Sequence, residues 1–174
     1  DELYGVLQEK KLTCEVDVEE DLMIYGDPDK LARVFDNILR NAIAYCREKS
    51  VLLIQAAKEE NQVRICFENE GDTIPEESLK RIFDKFYRAD ASRSSSTGGA
   101  GLGLAIAKEI VELHKGQIIA ESSEGKTRFI VTLPLKGGVE SNEIHTHSGH
   151  SSGGRAGRRS LLRLIPAVLQ HQFR

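Results

Sequence analysis

Residues 94–110 read SSSTGGAGLGLAIAKEI and place four glycines within six residues directly before an apolar run with helical spacing. Glycines that dense let a backbone come close to a ligand, and the free N–H groups and positive dipole end of a following helix suit an anion, most often a phosphate. Three phosphate-binding patterns compete. A dinucleotide-type G-x-G-x-x-G loop needs a strand before it, whereas Gly99, Gly101 and Gly103 are spaced two by two behind a polar segment. A G-x-x-x-x-G-K-[ST] loop is half present at Gly125-Lys126-Thr127, but its first glycine would fall on Ala120 and a strand pattern follows in place of a helix. What remains is a glycine-rich lid feeding a helix N-terminus. Far away in the chain, Asn37 and Asn41 lie four apart and share a helix face beside an apolar stripe. Asparagine is a poor interior helix residue, so two in register point to use in a cleft.

These residues need a scaffold, and the hydrophobic pattern supplies one. Residues 12–18 and 62–68 alternate as half-buried strands, residues 51–57 read as a more fully buried strand, and residues 117–122 and 127–133 form a hairpin about the turn Ser123 to Lys126. The longest helix is expected from the Asp27 cap and Pro28 to about Arg47, with Leu31, Val34, Phe35, Ile38, Leu39 and Ala42 as its buried stripe. A second helix is expected from Pro75 with Leu79, Ile82 and Phe83 inward, and a third from Leu102 to Lys115 with Gly116 as its C′ glycine. The expected fold is α/β: a two-layer sandwich, a mixed sheet with three main helices on one face. Residues 88–100 are long and polar for a plain connection, which suits a mobile lid.

With 174 residues, 40% hydrophobic and 29% charged, the chain has the composition of one globular unit and carries no apolar run of membrane-spanning length. Its net charge of −3 is uneven: residues 136–174 hold six basic and two acidic side chains, a net of +4, which leaves −7 on residues 1–135. An acidic body argues against nucleic acid as a partner. Three cysteines without a C-x-x-C pair indicate neither a disulfide framework nor a zinc site and fit a reducing cytosol. Residues 1–11 read as the end of a linker helix belonging to something upstream. The domain is expected over 12–135, and 136–174 reads as a flexible, basic, Gly/Ser/His-rich tail. None of the five histidines looks catalytic, and His114 reads as a helix-end residue.

The segments FDNILRNA, ENEGDTIP, RIFDKFYRAD and GAGLGL stand in the order of the N, G1, F and G2 boxes of bacterial sensor histidine kinases. The chain resembles that family over residues 12–135, within the larger Bergerat group that includes gyrase, Hsp90 and MutL. The run YRADASRSSSTGGAGLGLAIAKEIVELHKGQI is especially similar to VanS-type vancomycin-resistance sensors.

The resemblance implies that Asn41 holds Mg²⁺ against the phosphates of ATP with Asn37 assisting, and neutral amide oxygens with water and phosphate make an acceptable shell for that ion. Hydrolytic relatives carry a Glu at position 37 as general base; an Asn there cannot take a proton, which favours transfer of the phosphoryl group over hydrolysis. Ala44 departs from the Lys or His of many sensor kinases, a phosphate contact that Lys85 or Arg88 could replace. Tyr45 is either an aromatic neighbour of the nucleotide or a core residue. In ENEGDTIP the usual D-x-G-x-G is changed: Asn69 stands for the Asp that meets the adenine amino group, Gly71 is kept, and Thr73 replaces the second glycine. Arg88 is assigned to the γ-phosphate and to catalysis with Asn41, since a guanidinium binds phosphate in a forked way. Phe83 and Phe86 are expected to anchor the lid. Ile74, Tyr87, Gly99, Gly101, Leu102, Gly103 and Leu104 complete the implied ATP site, and Gly125 is a turn with Thr127 at the periphery.

The phospho-accepting histidine motif of the family is absent from these residues. The implied activity is therefore the donor half of a histidine kinase, passing phosphate to a histidine-bearing dimerisation domain and on to a response regulator. The fragment itself would be cytoplasmic, without membrane contact, and the full-length protein anchored in the membrane. A serine kinase or ATPase of the same superfamily, or a nucleotide-sensing module without transfer, are the alternatives.

Overall fold

The computed structural model describes residues 2–88, 101–135 and 157–164. Helix α1 (Glu2–Glu9) leads into strand β1 (Thr13–Val18) and the short β2 (Met23–Gly26), followed by α2 (Pro28–Tyr45), β3 (Val51–Glu59) and β4 (Gln62–Glu70). After the single-turn α3 (Glu76–Leu79) come α4 (Gly103–Leu113), β5 (Gln117–Ser123) and β6 (Lys126–Pro134); β7 (Gly157–Ser160) and a 3₁₀ turn (Leu161–Arg163) close the described chain. Five strands form one sheet in the order β1-β3-β4-β6-β5, parallel between β1 and β3 and antiparallel elsewhere. Helices α2 and α4 pack on one another and against this sheet. The expected mixed two-layer sandwich is the observed fold.

Alternation along the central strands sets the face that the helices cover. Val63, Ile65 and Phe67 of β4 and Phe129, Val131 and Leu133 of β6 are buried inward, and the same period carries Asn69 and Thr127 onto that face as the final inward positions. These two are register partners across the ladder, so the apolar layer ends in an amide opposite a hydroxyl. On the other face, Glu68 takes salt bridges from Lys126 and Arg128. Burial alone would raise the Glu68 carboxyl, but hydrogen bonds from those two cations outweigh it and hold the group below the usual carboxylate range.

Helix α2 is pinned at both ends. Asp27 accepts from the Asp29 and Lys30 N–H groups, and Pro28 opens the helix. The Asp27 backbone N–H donates to His114 Nε2 (3.1 Å), while His114 Nδ1 lies 2.8 Å from the Ile110 carbonyl, so one ring ties the end of α4 to the start of α2. Gly26 permits this: a Cβ there would sit 2.5 Å from His114 Cδ2. At the other end, Lys10 Nζ donates to the carbonyls of Ile43 (2.9 Å), Ala44 (2.8 Å) and Cys46 (3.2 Å). An ammonium from the residue after α1 thus caps the negative end of α2, whose own last turn has no basic residue.

Three expectations are corrected. The second helix is one turn long: beyond Lys80 the bonds run i→i+3, as in Ile82 N–H to Leu79 O and Asp84 N–H to Arg81 O, although Ile82 is buried and Leu79 and Phe83 are partly so. The third helix ends in a Schellman motif with Lys115 at φ 60°, closed by Lys115 N–H to Glu112 O and Gly116 N–H to Val111 O. Gly116 is therefore the residue after C′, and its need is close approach, since a Cβ would lie 2.3 Å from the Thr132 carbonyl. The longest helix stops at Tyr45 with Cys46 as its cap. Within the stretch expected to be a tail, residues 157–160 pair antiparallel with β2, and Leu161 and Leu164 are buried against the core. The remaining residues of 136–174 lie outside the described ones.

Lys10→Met keeps the aliphatic stem and removes the ammonium. It is expected to lower unfolding free energy by about 1–2 kcal/mol in urea titrations; an unchanged midpoint would mean the three carbonyls are satisfied equally well by water.

Candidate functional site

Asn37, Asn41 and Tyr45 follow one another at intervals of four along α2, all partly buried, on an edge next to the fully buried stripe of Leu31, Val34, Phe35, Ile38 and Leu39. Eight residues of helix separate the first from the last, roughly 12 Å. The two ends of this edge meet different partners.

At the Asn37 end lies the start of α4. A Cβ on Gly103 would stand 3.5 Å from Asn37 Oδ1, an ordinary contact distance, so the first turn of α4 runs directly beside the amide. The Asn37 Nδ2 is buried and has no hydrogen-bond partner. Leu102 occupies the N-cap position and offers no side-chain acceptor, in contrast to Asp27 on α2, so among the described residues no side-chain cap bond closes the α4 N-terminus, whose positive dipole end lies beside the Asn37 amide. Leu104 is buried beneath this turn.

Just upstream, Phe86 N–H donates to the Gly101 carbonyl (2.9 Å). Gly101 has φ 75°, and a Cβ there would press to 3.0 Å from the Phe86 backbone and the Tyr87 carbonyl. This backbone clasp brings residues 86–87 against residue 101. The expectation that Phe83 and Phe86 both anchor the lid is corrected in part: Phe83 packs against the core, but Phe86 is 71% exposed at φ 64°, and its N–H rather than its ring makes the attachment. The Arg81 guanidinium lies over the Tyr87 ring, 4.6 Å from its centroid. Lys85 and Arg88 are exposed on the same segment. Gly99 falls outside the described residues.

At the Tyr45 end, the β4–α3 loop passes so close that a Cβ on Gly71 would lie 2.2 Å from the Tyr45 carbonyl. Asn69 is 1% exposed, and neither its Oδ1 nor its Nδ2 has a partner. A buried amide with four unused hydrogen-bonding positions is costly unless something completes it. Around it the polar groups are paired. Gly71 N–H donates to Gly125 O (2.9 Å), Gly125 N–H to Thr73 Oγ1 (2.9 Å) and Ile74 N–H to Ser122 Oγ (2.8 Å), and Ser122 Oγ lies 2.9 Å from Thr127 Oγ1. The loop carrying Gly71 to Ile74 is thus sewn to the β5–β6 hairpin. Gly125 is the turn expected of it, at φ 73°.

Thr127, expected at the periphery, is 2% exposed and faces Asn69 across the ladder. Thr73, noted only as a lost glycine, supplies the acceptor that holds the hairpin tip. Ser122 was missed; the clue was its place two residues beyond Ala120 and four beyond Ile118, the inward set of β5. Among the described residues no three His, Cys, Asp or Glu side chains gather as a metal cage. The cysteines offer no nucleophile: burial pushes the Cys14 thiol up to about 12 and that of Cys46 to about 11.

Ser122→Ala removes the acceptor of the Ile74 N–H and the partner of Thr127 at one stroke. It is expected to cost about 1–3 kcal/mol of stability by chemical denaturation, and to speed hydrogen exchange at the Ile74 amide; unaltered protection there would show that the loop is held elsewhere.

Residues 26–137 match the model of the histidine kinase-, DNA gyrase B- and HSP90-like ATPases. The chain is 53% identical over 134 residues to the sensor protein VanS of Enterococcus faecium, a match covering 77% of this chain and 35% of that protein. It thus spans about a third of that relative's length. The nucleotide-free catalytic domain of histidine kinase ThkA superposes with a TM-score of 0.65 at 28% identity, over 77% of this chain and 88% of that one. ThkA in complex with response regulator protein TrrA superposes with a TM-score of 0.62 at 28% identity, over 78% of this chain and 39% of that one. With the family model spanning most of the chain and the same sandwich recurring in a histidine kinase catalytic domain, this chain belongs to the histidine kinase-, DNA gyrase B- and HSP90-like ATPase family.

Proposed function

We propose that residues 12–135 bind Mg²⁺-ATP along the α2 edge and pass its γ-phosphoryl group to a histidine on a dimerisation domain beyond this chain. The observation that carries this reading is the pair of unpartnered amide groups, the buried Asn69 at one end of the edge and the buried Nδ2 of Asn37 at the other. An adenine amino group would complete Asn69, beside Gly71 and Ile74, with Tyr45 flanking the base. Phosphate oxygens would complete the Asn37 Nδ2 and the first N–H groups of α4, near Gly101, Leu102, Gly103 and Leu104. Asn41, assisted by Asn37, would hold Mg²⁺, which when bound neutralises phosphate charge.

The other roles follow from chemistry. Position 37 holds an amide, which orients but cannot deprotonate water, so the bound phosphate is kept for an acceptor. Arg88, with Lys85 and Tyr87 on the same segment, would steady the departing phosphoryl group through its forked donors. Catalysis of this kind rests on positioning and electrostatics. The identity to VanS supports a finer reading: a membrane-anchored two-component sensor controlling glycopeptide resistance, with this domain on the cytoplasmic side. The ThkA complex with TrrA supports a response regulator as the next acceptor.

Incubation with a separate histidine-bearing dimerisation domain and γ-labelled ATP is expected to place acid-labile label on histidine. Nucleotide binding without label would favour a sensing module, and label on serine a serine kinase. Asn41→Ala is expected to abolish the Mg²⁺-dependent part of ATP binding in calorimetry, and an affinity equal to that of the parent would remove Asn41 from the metal shell.

A further inference from the structure

The group that meets purine position 6 in the proposed site is an amide, not a carboxylate, and its surroundings do not fix which way round it sits. Asn69 is 1% exposed and neither amide atom is bonded to protein. The neighbours that could choose its orientation are engaged elsewhere: Gly71 N–H is held by Gly125 O, and Thr127 Oγ1, opposite Asn69 in the ladder, is paired with Ser122 Oγ. That hydroxyl pair is itself reversible, since either oxygen can be the donor. Two adjacent groups on the floor of the site can therefore each present a donor or an acceptor, the amide by a half-turn about its last torsion and the hydroxyl by rotation.

A carboxylate at position 69 would only accept. It would pair with the 6-amino group of adenine and repel a 6-oxo group, the kind of unpaired polar clash that gives strong discrimination. Asn69 accepts from a 6-amino group through Oδ1 and, turned over, donates to a 6-oxo group through Nδ2. We propose that Asn69 relaxes purine selection, so that the chain takes 6-oxopurine nucleoside triphosphates as well as adenine nucleotides. This rests on the nucleotide reading of the site and concerns only which base it admits.

The test is calorimetric titration of the whole chain with Mg²⁺-ATP and with Mg²⁺-ITP, whose base carries the 6-oxo group without the 2-amino group of guanine. The parent chain is expected to bind the two within about tenfold of each other, and Asn69→Asp to widen the ratio to about a hundredfold or more against ITP, whatever its absolute ATP affinity. ATP binding with ITP more than tenfold weaker on the parent chain would overturn the inference and leave the nucleotide reading standing. So would a ratio that Asn69→Asp does not move. Binding of neither nucleotide would overturn the nucleotide reading and this inference with it.

Discussion

The rotational setting of α2 about its own axis is the constraint on which the rest depends. One residue of rotation, about 100°, would carry Asn37 and Asn41 onto the buried positions of Ile38 and Ala42 and leave Asp36 and Arg40 on the cleft edge. The stripe prevents it: Leu31, Val34, Phe35, Ile38 and Leu39 are fully enclosed, and each contributes roughly 1.5–3 kcal/mol that would be forfeited on turning. The ends add direction to that grip. His114 receives the Asp27 N–H at one end, and Lys10 holds three carbonyls at the other. A polar edge on a helix held this firmly is a ruler with fixed marks, and Asn37, Asn41 and Tyr45 are the marks.

The sheet answers that ruler at one point. Where β4 and β6 run out of apolar inward residues, Asn69 and Thr127 continue the same alternation in polar form. The loop beyond β4 then reverses under the Tyr45 carbonyl, a passage open only to glycine, and is tied by Gly125, Thr73 and Ser122 to the hairpin. Helix, strand end, loop and hairpin thus share one small region. Its two unpartnered amide atoms stand out because everything beside them is satisfied.

Much of this was legible in the residues. The Asp27-Pro28 start, the α2 stripe and the alternation of β4 and β6 are local signals, and each is reproduced. The register of Asn37 with Asn41 is likewise a matter of counting. What escaped depended on tertiary partners. The helix expected after Pro75 unwinds into i→i+3 turns because the chain must bend back so that Phe86 reaches Gly101. β2 is four residues long and among the described residues pairs only with β7, a strand made of Gly-Arg-Arg-Ser that no periodicity announces. The alternation of β5 marks Ser122 only as an inward position, and its role exists because the loop carrying Ile74 arrives beside it.

The contact between Gly26 and His114 has a bearing on inheritance. The ring fills the space a side chain at position 26 would need, down to 2.5 Å from Cδ2, while accepting the N–H of the very next residue. Neither position is free to drift alone: a larger residue at 26 ejects the imidazole, and losing the imidazole leaves both a hole and an unanswered N–H at the mouth of α2. Positions 88 apart in the chain should therefore change together or not at all, and in descendants of this sequence the pair would mark which lineages kept this junction of α2 and α4.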